Sequence, residues 1–198
     1  LLLVTVCSYA ALRLYLQVKK EEGMRGLLEA FQQEWEENFL VEAEQRRLYF
    51  ESIANGCCLL AETLSGQAYR FYAFPFLGEQ FASLLEQISC WLHWQDLHFF
   101  RKILLEKAVE QYIQIVRLHP TDLEAHAMLA NGYVLLSGLY VDPRKVEGMG
   151  EERWIPPGKY TAEFKQIFRH IAERAIEEFK ILNEYAPEDP WVHAQLAY

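Results

Sequence analysis

The sequence predicts an all-helical protein. Its 198 residues are 52% hydrophobic and 14% aromatic, which is enough apolar surface to offset the entropy of ordering the chain. The 10 glycines and 7 prolines fall mostly in clusters and leave long uninterrupted stretches that favour helices over short strands. Within those stretches apolar residues recur every three or four positions, which is the period of an amphipathic helix.

The charge and the cysteines exclude several classes of protein. A formal net charge of −9 argues against a nucleic-acid-binding protein, which needs clustered Lys and Arg to neutralise phosphates. The cysteines fit neither a zinc template nor a CxxC redox motif, so we expect apolar core residues in a reducing compartment. The four cysteines are Cys7, Cys57, Cys58 and Cys90.

The apolar stretch from Leu1 to Val18 leaves three interpretations open. As a transmembrane or signal-anchor helix it would need further apolar residues upstream, because a span takes about 20. Lys19 and Lys20 would then place the rest on the cytoplasmic side. Arg13 and a narrow polar stripe instead favour a helix packed in a bundle. A cleaved signal peptide is the third interpretation. Because the sequence stops at Tyr198 inside a predicted helix, we expect a fragment of a longer protein.

Glycines divide the predicted helices of the first 78 residues. Gly23 and Gly26 indicate breaks, after which a helix fits residues 27–44 and extends towards Ile53. Asn55-Gly56 indicates a turn or a helix end, followed by a short buried helix at 57–64. An aromatic segment at 69–76 is either core packing or an exposed ligand face.

Two further helices are predicted before the first of the downstream prolines. They cover residues 79–92 and 97–118, with a break around His93 to Asp96. His119-Pro120 ends the second helix, because the residue before a proline avoids the α region.

From Ala108 onward the sequence carries one pattern twice. A small residue is followed by an aromatic residue four positions later and a proline eight positions after that. The two copies are Ala108, Tyr112, Pro120 and Ala175, Phe179, Pro187. A histidine, a leucine and an alanine then follow each proline at the same spacings. These residues are His126, Leu129, Ala130 and His193, Leu196, Ala197, with Tyr133 completing the first set.

These residues resemble the tetratricopeptide repeat (TPR), a helix-turn-helix unit of about 34 residues. The resemblance implies that the alanines let paired helices approach, that the aromatics fill the gap between repeats, and that proline ends each second helix. His126 departs from the family, which usually has Trp there, and Ala130 stands where Gly is more common.

The resemblance covers about the C-terminal half and implies a right-handed superhelix with a divergent helical N-terminal part. Residues 79–198 would be TPR-like repeats, with an inserted loop at 141–159, a helix at 160–185 and a truncated last repeat. A degenerate extra repeat is the alternative to the insertion. Residues 21–78 would be a divergent helical region, and residues 1–20 the membrane or bundle helix.

The TPR resemblance also implies a concave face, lined by first helices, that holds an extended peptide or a partner helix. On the helix from Glu124 to Tyr133 the groove-facing candidates are Glu124, Ala127, Met128, Asn131 and Val134. Asn131 stands where one subgroup grips a C-terminal carboxylate. That subgroup needs a lysine where Ala127 stands, so we do not expect a carboxylate clamp.

The inserted loop offers a second contact surface at Arg153, Trp154 and Ile155. Trp154 and Ile155 either anchor a partner or tuck back onto their own chain. No catalytic residue is predicted, because the HExxH, GxSxG and Gly-rich phosphate-loop patterns do not occur. The nearest set of metal-binding types is His93, Asp96 and His98, and we expect no metal and no cofactor.

The sequence therefore favours a non-enzymatic scaffold that binds a protein or peptide, and no nucleic acid, in the cytoplasm. It would be membrane-associated on the cytoplasmic side if Leu1 to Val18 forms an anchor. Two alternatives stay open. One is an auxiliary subunit or secretion-type chaperone on the same scaffold, and the other is a helical protein with an unrecognised metal or ligand site.

Overall fold

A computed structural model of the chain describes residues 15, 18–30, 33–34, 43–69, 79–142, 155, 158, 160–188 and 190–197. These residues build helices and turns and contain no strand, which confirms the prediction of an all-helical protein. By its internal contacts the chain divides into two compact units, Leu1–Arg46 and Arg47–Tyr198.

In the first unit, residues 18–30 form helix α1, and residues 15 and 33–34 are also helical. The predicted breaks at Gly23 and Gly26 are wrong. Neither glycine has a positive φ, and one glycine costs a helix only about 1 kcal/mol.

Most of the stretch from Leu1 to Val18, including Arg13, lies outside the described residues. None of the helices in the part of the chain that the structure covers combines the length and the apolar composition that spanning a membrane requires.

Helix α2 (Ala43–Thr63) runs through Asn55-Gly56, so the predicted turn there is wrong. Residues 57–64 form no separate helix for the same reason. The cause is packing, because α2 buries one residue in every four on both sides of Gly56. These residues are Tyr49, Ile53, Cys57 and Ala61. After α2 the chain turns at Gly66, whose φ of 71° suits a glycine, into a short 3-10 helix, Gln67–Tyr69.

Helix α3 (Glu79–Leu118) is continuous, so the predicted break around His93 to Asp96 is wrong. The helix contains neither glycine nor proline, and its buried face extends through that region. Cys90 and Trp94 on this face pack against Ala68 and Ile155. The predicted start at Glu79 and the end before His119-Pro120 are confirmed.

Helix α3 packs against α2 in the antiparallel direction. The Tyr112 hydroxyl donates a hydrogen bond of 2.8 Å to Oδ1 of Asn55. Sγ of Cys58, which lies one turn further along α2, is 3.8 Å from the same hydroxyl. Towards the other end of the pair, Arg101 Nε donates to the carbonyl oxygen of Ala61 over 3.0 Å. The contacting residues of α3 therefore decrease in number as those of α2 increase, as antiparallel packing requires.

Three more helices follow in chain order: α4 (Leu123–Gly138), α5 (Ala162–Tyr185) and α6 (Pro190–Ala197). Helices α4 and α5 are antiparallel, since His126 contacts Glu178 while Tyr140 contacts Phe164. One apolar cluster joins α4, α5 and α6 and includes Val192 of α6. Helices α4, α5 and α6 therefore each pack against the helix before them in the chain.

Cys57 and Cys58 are free thiols. Cys57 and Cys90 are buried, which confirms them as core residues, and Cys58 is half-buried. Burial, with a smaller contribution from the neighbouring Cys58, raises the pKa of the Cys57 thiol to about 11. A thiol with so high a pKa carries almost no thiolate at neutral pH and is a poor nucleophile. Cys7 lies outside the described residues.

Candidate partner-binding face and the junctions that position it

The start of α4 is fixed by a polar network. Asp122 is the N-cap residue, and its Oδ1 accepts a hydrogen bond of 3.0 Å from the backbone N–H of Glu124. Its other carboxylate oxygen lies 2.6 Å from Nη1 of Arg47, while Nη2 of Arg47 lies 3.0 Å from Oε2 of Glu124. Because Arg47 belongs to α2, this network holds the N-terminal ends of α2 and α4 next to each other.

His126 ties the start of α4 to the turn before it and to helix α5. Its Nε2 lies 3.0 Å from the carbonyl oxygen of Pro120, and its Nδ1 lies 2.6 Å from Oε2 of Glu178 on α5. Both partners are acceptors, so both ring nitrogens donate when the ring is protonated. Burial lowers the pKa of His126, but the hydrogen bonds to Glu178 and Pro120 and the charges of Glu178 and Asp122 outweigh it and raise that pKa.

The middle of α4 approaches α3 so closely that only glycine fits without movement. A Cβ atom at Gly132 would lie 3.0 Å from Cδ2 of the Tyr112 ring and 3.3 Å from Cγ2 of Val109. Tyr112 is the aromatic residue of the first sequence pattern, and here it packs between α2 and α4. Sequence reasoning missed Gly132.

The chain builds the His126 junction a second time at the start of α6. Nε2 of His193 lies 2.6 Å from the carbonyl oxygen of Pro187, six residues earlier, just as His126 contacts Pro120. Residues 120–130 and 187–197 share the pattern P-x-D-x-x-x-H-A-x-L-A in full. We call each of these two segments a Pro-His junction. Sequence reasoning found their Pro, His, Leu and final Ala. Aligning the two segments would also have found the Asp and the first Ala.

The predicted groove residues of α4 differ in exposure. Asn131 and Val134 are exposed, Met128 is half-buried, and Ala127 packs against the apolar cluster that joins α4, α5 and α6. Glu124 is exposed but is paired with Arg47 of the same chain. Sequence reasoning missed the exposed Leu135, next to Val134. We call the group Glu124, Met128, Asn131, Val134 and Leu135 the α4 face.

The predicted loop contact is described in part. Ile155 is 2% exposed and packs against Ala68, Cys90 and Trp94, which is the tucked-back alternative of the two that the sequence left open. A side chain this buried offers no surface to a partner. Arg153 and Trp154 lie outside the described residues, as does most of the 141–159 insertion.

Aromatic rings fix the C-terminal end of α4, which the sequence did not predict. The His98 ring stacks on Trp94 on one side, with centroids 4.8 Å apart, and on Phe164 on the other, at 5.5 Å. Tyr140, just after α4, meets Phe164 edge to face at 5.2 Å. His98 was one of three residues considered for a metal. Among the described residues, no group of three or more His, Cys, Asp or Glu side chains converges as a metal site would require.

Comparison of the chain with protein-family models, with curated proteins and with solved structures finds no match. The resemblance to the TPR family therefore depends on the residue pattern, and the candidate site depends on the geometry of α4 and its neighbours.

Proposed function

We propose that this chain is a protein-interaction scaffold of the TPR type that binds a peptide or a partner helix along the α4 face. The observation that carries the proposal is that α4 is buried on α3 and α5 while Asn131, Val134 and Leu135 stay exposed together. Residues that share one helix side at intervals of three or four positions can follow a ligand that lies along the helix.

The repeated Pro-His junction supports the repeat part of the proposal. In both copies the histidine ties the start of one helix to the proline that follows the preceding helix. Arrays of helical hairpins place each unit only against its neighbours, which leaves first helices such as α4 with one free face. The antiparallel packing of α2 to α5 in chain order fits the same arrangement.

The chemistry of the α4 face favours a ligand with both apolar and polar groups. Val134 and Leu135 offer apolar surface to a hydrophobic side chain, and the Asn131 amide both donates and accepts hydrogen bonds. Arg47 is shared between Asp122 and Glu124, so the end of the face that carries Glu124 keeps some negative charge. Ala127 leaves it without a cation for a C-terminal carboxylate, so the ligand is bound by side chains and backbone and not by its terminus.

The proposal keeps the location that the sequence favours. A free and buried thiol such as that of Cys57 is typical of proteins from a reducing compartment such as the cytoplasm. The role of Leu1 to Val18 as an anchor on the cytoplasmic side remains part of the proposal, as does the absence of an enzymatic activity.

A peptide-display selection against the whole chain tests the α4 face. Selected peptides should bind with dissociation constants in roughly the micromolar range. The Val134→Glu substitution should weaken them at least about tenfold, because it places a charge in the apolar part of the face. Lys180→Glu, at an exposed position of α5, is the matched control and should leave binding unchanged.

Two results would count against this function. One is a set of peptides that tolerates Val134→Glu and Asn131→Arg as well as it tolerates Lys180→Glu. The other is a selection that enriches no peptide from a chain that circular dichroism shows to be folded.

A further inference from the structure

Helices α2 and α4 lie side by side and run in the same direction. At their N-terminal ends Arg47 of α2 contacts Glu124 of α4. About two turns further along α2, Asn55 accepts the hydrogen bond from the Tyr112 hydroxyl. About two turns further along α4, Gly132 faces the ring of the same tyrosine. Equal steps along the two helices thus lead to one side chain of α3, which lies between them.

One side of α2 is turned towards α4, and we call its residues the α2 stripe. They recur every three or four positions and so share one side of the helix: Arg47, Glu51, Asn55, Cys58 and Glu62. Burial above all, with Cys58 and then Glu51 adding to it, raises the pKa of Tyr112. Burial likewise raises the pKa of the Cys58 thiol, against the hydrogen bond with Tyr112, and the charge of Glu62 adds to the increase. Both carboxylates therefore lie near the contact between α2 and Tyr112.

The α2 stripe and the α4 face together form an acidic surface with apolar parts, which we call the α2–α4 surface. Within the described part of the chain, neither Glu51 nor Glu62 forms an ion pair with a cation. The cation of this surface, Arg47, is shared between two carboxylates of α4 and its N-cap. Apolar area comes from Leu135 and from Leu59, which lies one turn after Asn55 and is 63% exposed. The formal net charge of −9 has the same sign as the surface.

We propose that the α2–α4 surface binds a basic amphipathic segment of another protein, a proposal that rests on the function proposed above for the α4 face. Lys or Arg side chains of the segment pair with Glu51 and Glu62, and its apolar side chains lie on Leu59 and Leu135. The two glutamates are about 16 Å apart along α2, at 1.5 Å per residue. An extended segment covers that distance with about five residues, and a helical one covers it with about eleven.

Charge and position both favour an occupant from another protein. Complementary charge selects a basic ligand and speeds its encounter with an acidic chain. No run of Lys and Arg in the 198 residues is longer than two. Helices α5 and α6 continue the chain at the apolar cluster around Ala130, on the other side of α4, so the exposure of the α2–α4 surface does not come from the end of the sequence.

The probe is the peptide most enriched by display selection against the whole chain, labelled for fluorescence anisotropy. It should carry two basic residues at one of the two predicted spacings, and changing its Lys and Arg to Glu should abolish binding. Glu62→Gln in the chain should weaken binding about two- to fivefold at low salt and less at high salt, as for an exposed ion pair. Glu173→Gln removes the same charge from an exposed position of α5 and is the matched control.

The apolar part of the surface is tested by Leu59→Ser, which should also weaken binding of the probe. Ile176→Ser is its control, since Ile176 is an exposed apolar residue of α5. Circular dichroism checks that each variant is folded.

Two results would overturn the proposal and leave the function of the α4 face in place. One is an enriched peptide without an excess of Lys and Arg that Val134→Glu still weakens. The other is a basic peptide that Val134→Glu weakens but that binds Glu62→Gln and Leu59→Ser as tightly as the unmodified chain. Equal losses from Glu62→Gln and Glu173→Gln would show attraction by overall charge alone and would also count against the α2–α4 surface. A folded chain that enriches no peptide would overturn both proposals.

Discussion

The two ends of α4 are held by different chemistry, although a histidine takes part in both. At the N-terminal end His126 donates to a carbonyl and a carboxylate, beside the Arg47–Asp122 ion pair. At the C-terminal end the His98 ring is stacked between Trp94 and Phe164. The first end depends on charge and hydrogen bonding, and the second depends on contact area between rings. The comparison teaches that one residue type can fix a helix in two ways that respond to different perturbations.

The largest loss of stability is expected when the ring contacts at the C-terminal end of α4 are removed. Phe164→Ala removes ring contacts with His98, Tyr140 and Tyr160. We expect a loss of about 2–3 kcal/mol, somewhat below the value for a fully buried phenylalanine because Phe164 is half-buried. Urea denaturation with an unchanged m value measures it.

Phe168→Ala is the matched control for that substitution. Phe168 lies one turn further along α5 and is 37% exposed, so its removal should cost less than about 1 kcal/mol. Equal losses from the two substitutions would show that the ring stack contributes nothing beyond ordinary burial.

A valine at position 132 tests the contact that fixes the middle of α4, between its two ends. The nearest Tyr112 ring atom would lie 3.0 Å from the new Cβ, so Gly132→Val should destabilise the chain by about 1–3 kcal/mol through overpacking. At Gly138, on the same helix, nothing lies within 4 Å of the Cβ position. Thermal unfolding should therefore show a lower midpoint for Gly132→Val than for Gly138→Val, and the reverse order would contradict this description of the α3–α4 contact.

The polar end of α4 could be predicted from the sequence, and the aromatic end could not. Pro120 and His126 stand at fixed spacings within a few residues of each other, so a local pattern identifies them. His98, Tyr140 and Phe164 come from three separate elements, and no spacing in the chain relates them. Their contact depends on how α3, α4 and α5 pack, which a linear pattern does not contain.

The helix breaks in the sequence prediction were wrong for a related reason. Gly56 and the region around His93 have weak local preferences for helix, but Cys57 and Trp94 are buried by residues far away in the chain. Tertiary burial then outweighs a local cost of about 1 kcal/mol. Asn131 and Val134 of the α4 face were predicted from the TPR resemblance, whereas the exposed Leu135 was missed. The burial of Ile155 could not be predicted, because it depends on α3.

Stability measured as a function of pH distinguishes the two ends of α4, because only the N-terminal end depends on charge. The pKa of His126 is raised in the folded chain, so the folded state binds this proton more tightly than the unfolded state does. The stabilisation is fully present below the unfolded pKa of about 6.5 and is lost as the pH rises through the raised value. The free energy of unfolding should therefore fall by about 1 kcal/mol relative to a Glu178→Gln variant between roughly pH 6 and pH 9.

Comparison with Glu178→Gln removes every pH-dependent contribution that the two chains share. Phe164→Ala should show the same pH dependence as the unmodified chain, since it leaves His126 and Glu178 in place. The free energies of unfolding of the unmodified chain and of Glu178→Gln could instead differ by the same amount at every pH. That result would mean that His126 and Glu178 interact without a proton exchange.

The smallest loss of stability is expected from substitution of Arg47, the residue of α2 that contacts the N-terminal end of α4. Its ion pairs with Asp122 and Glu124 are partly exposed to solvent, and exposed pairs contribute about 0.2–1 kcal/mol. Arg47→Ala should lower the free energy of unfolding by an amount within that range. The loss should nearly vanish in about 1 M salt, where the screening length is about 3 Å. Arg174→Ala, which removes an exposed ion pair within α5, is the control for the loss of a surface charge. Because Asp122 keeps its cap hydrogen bond to Glu124 in the variant, α4 should still begin at the same residue. A large loss that salt does not reduce would instead mean that Arg47 acts through packing between α2 and α4.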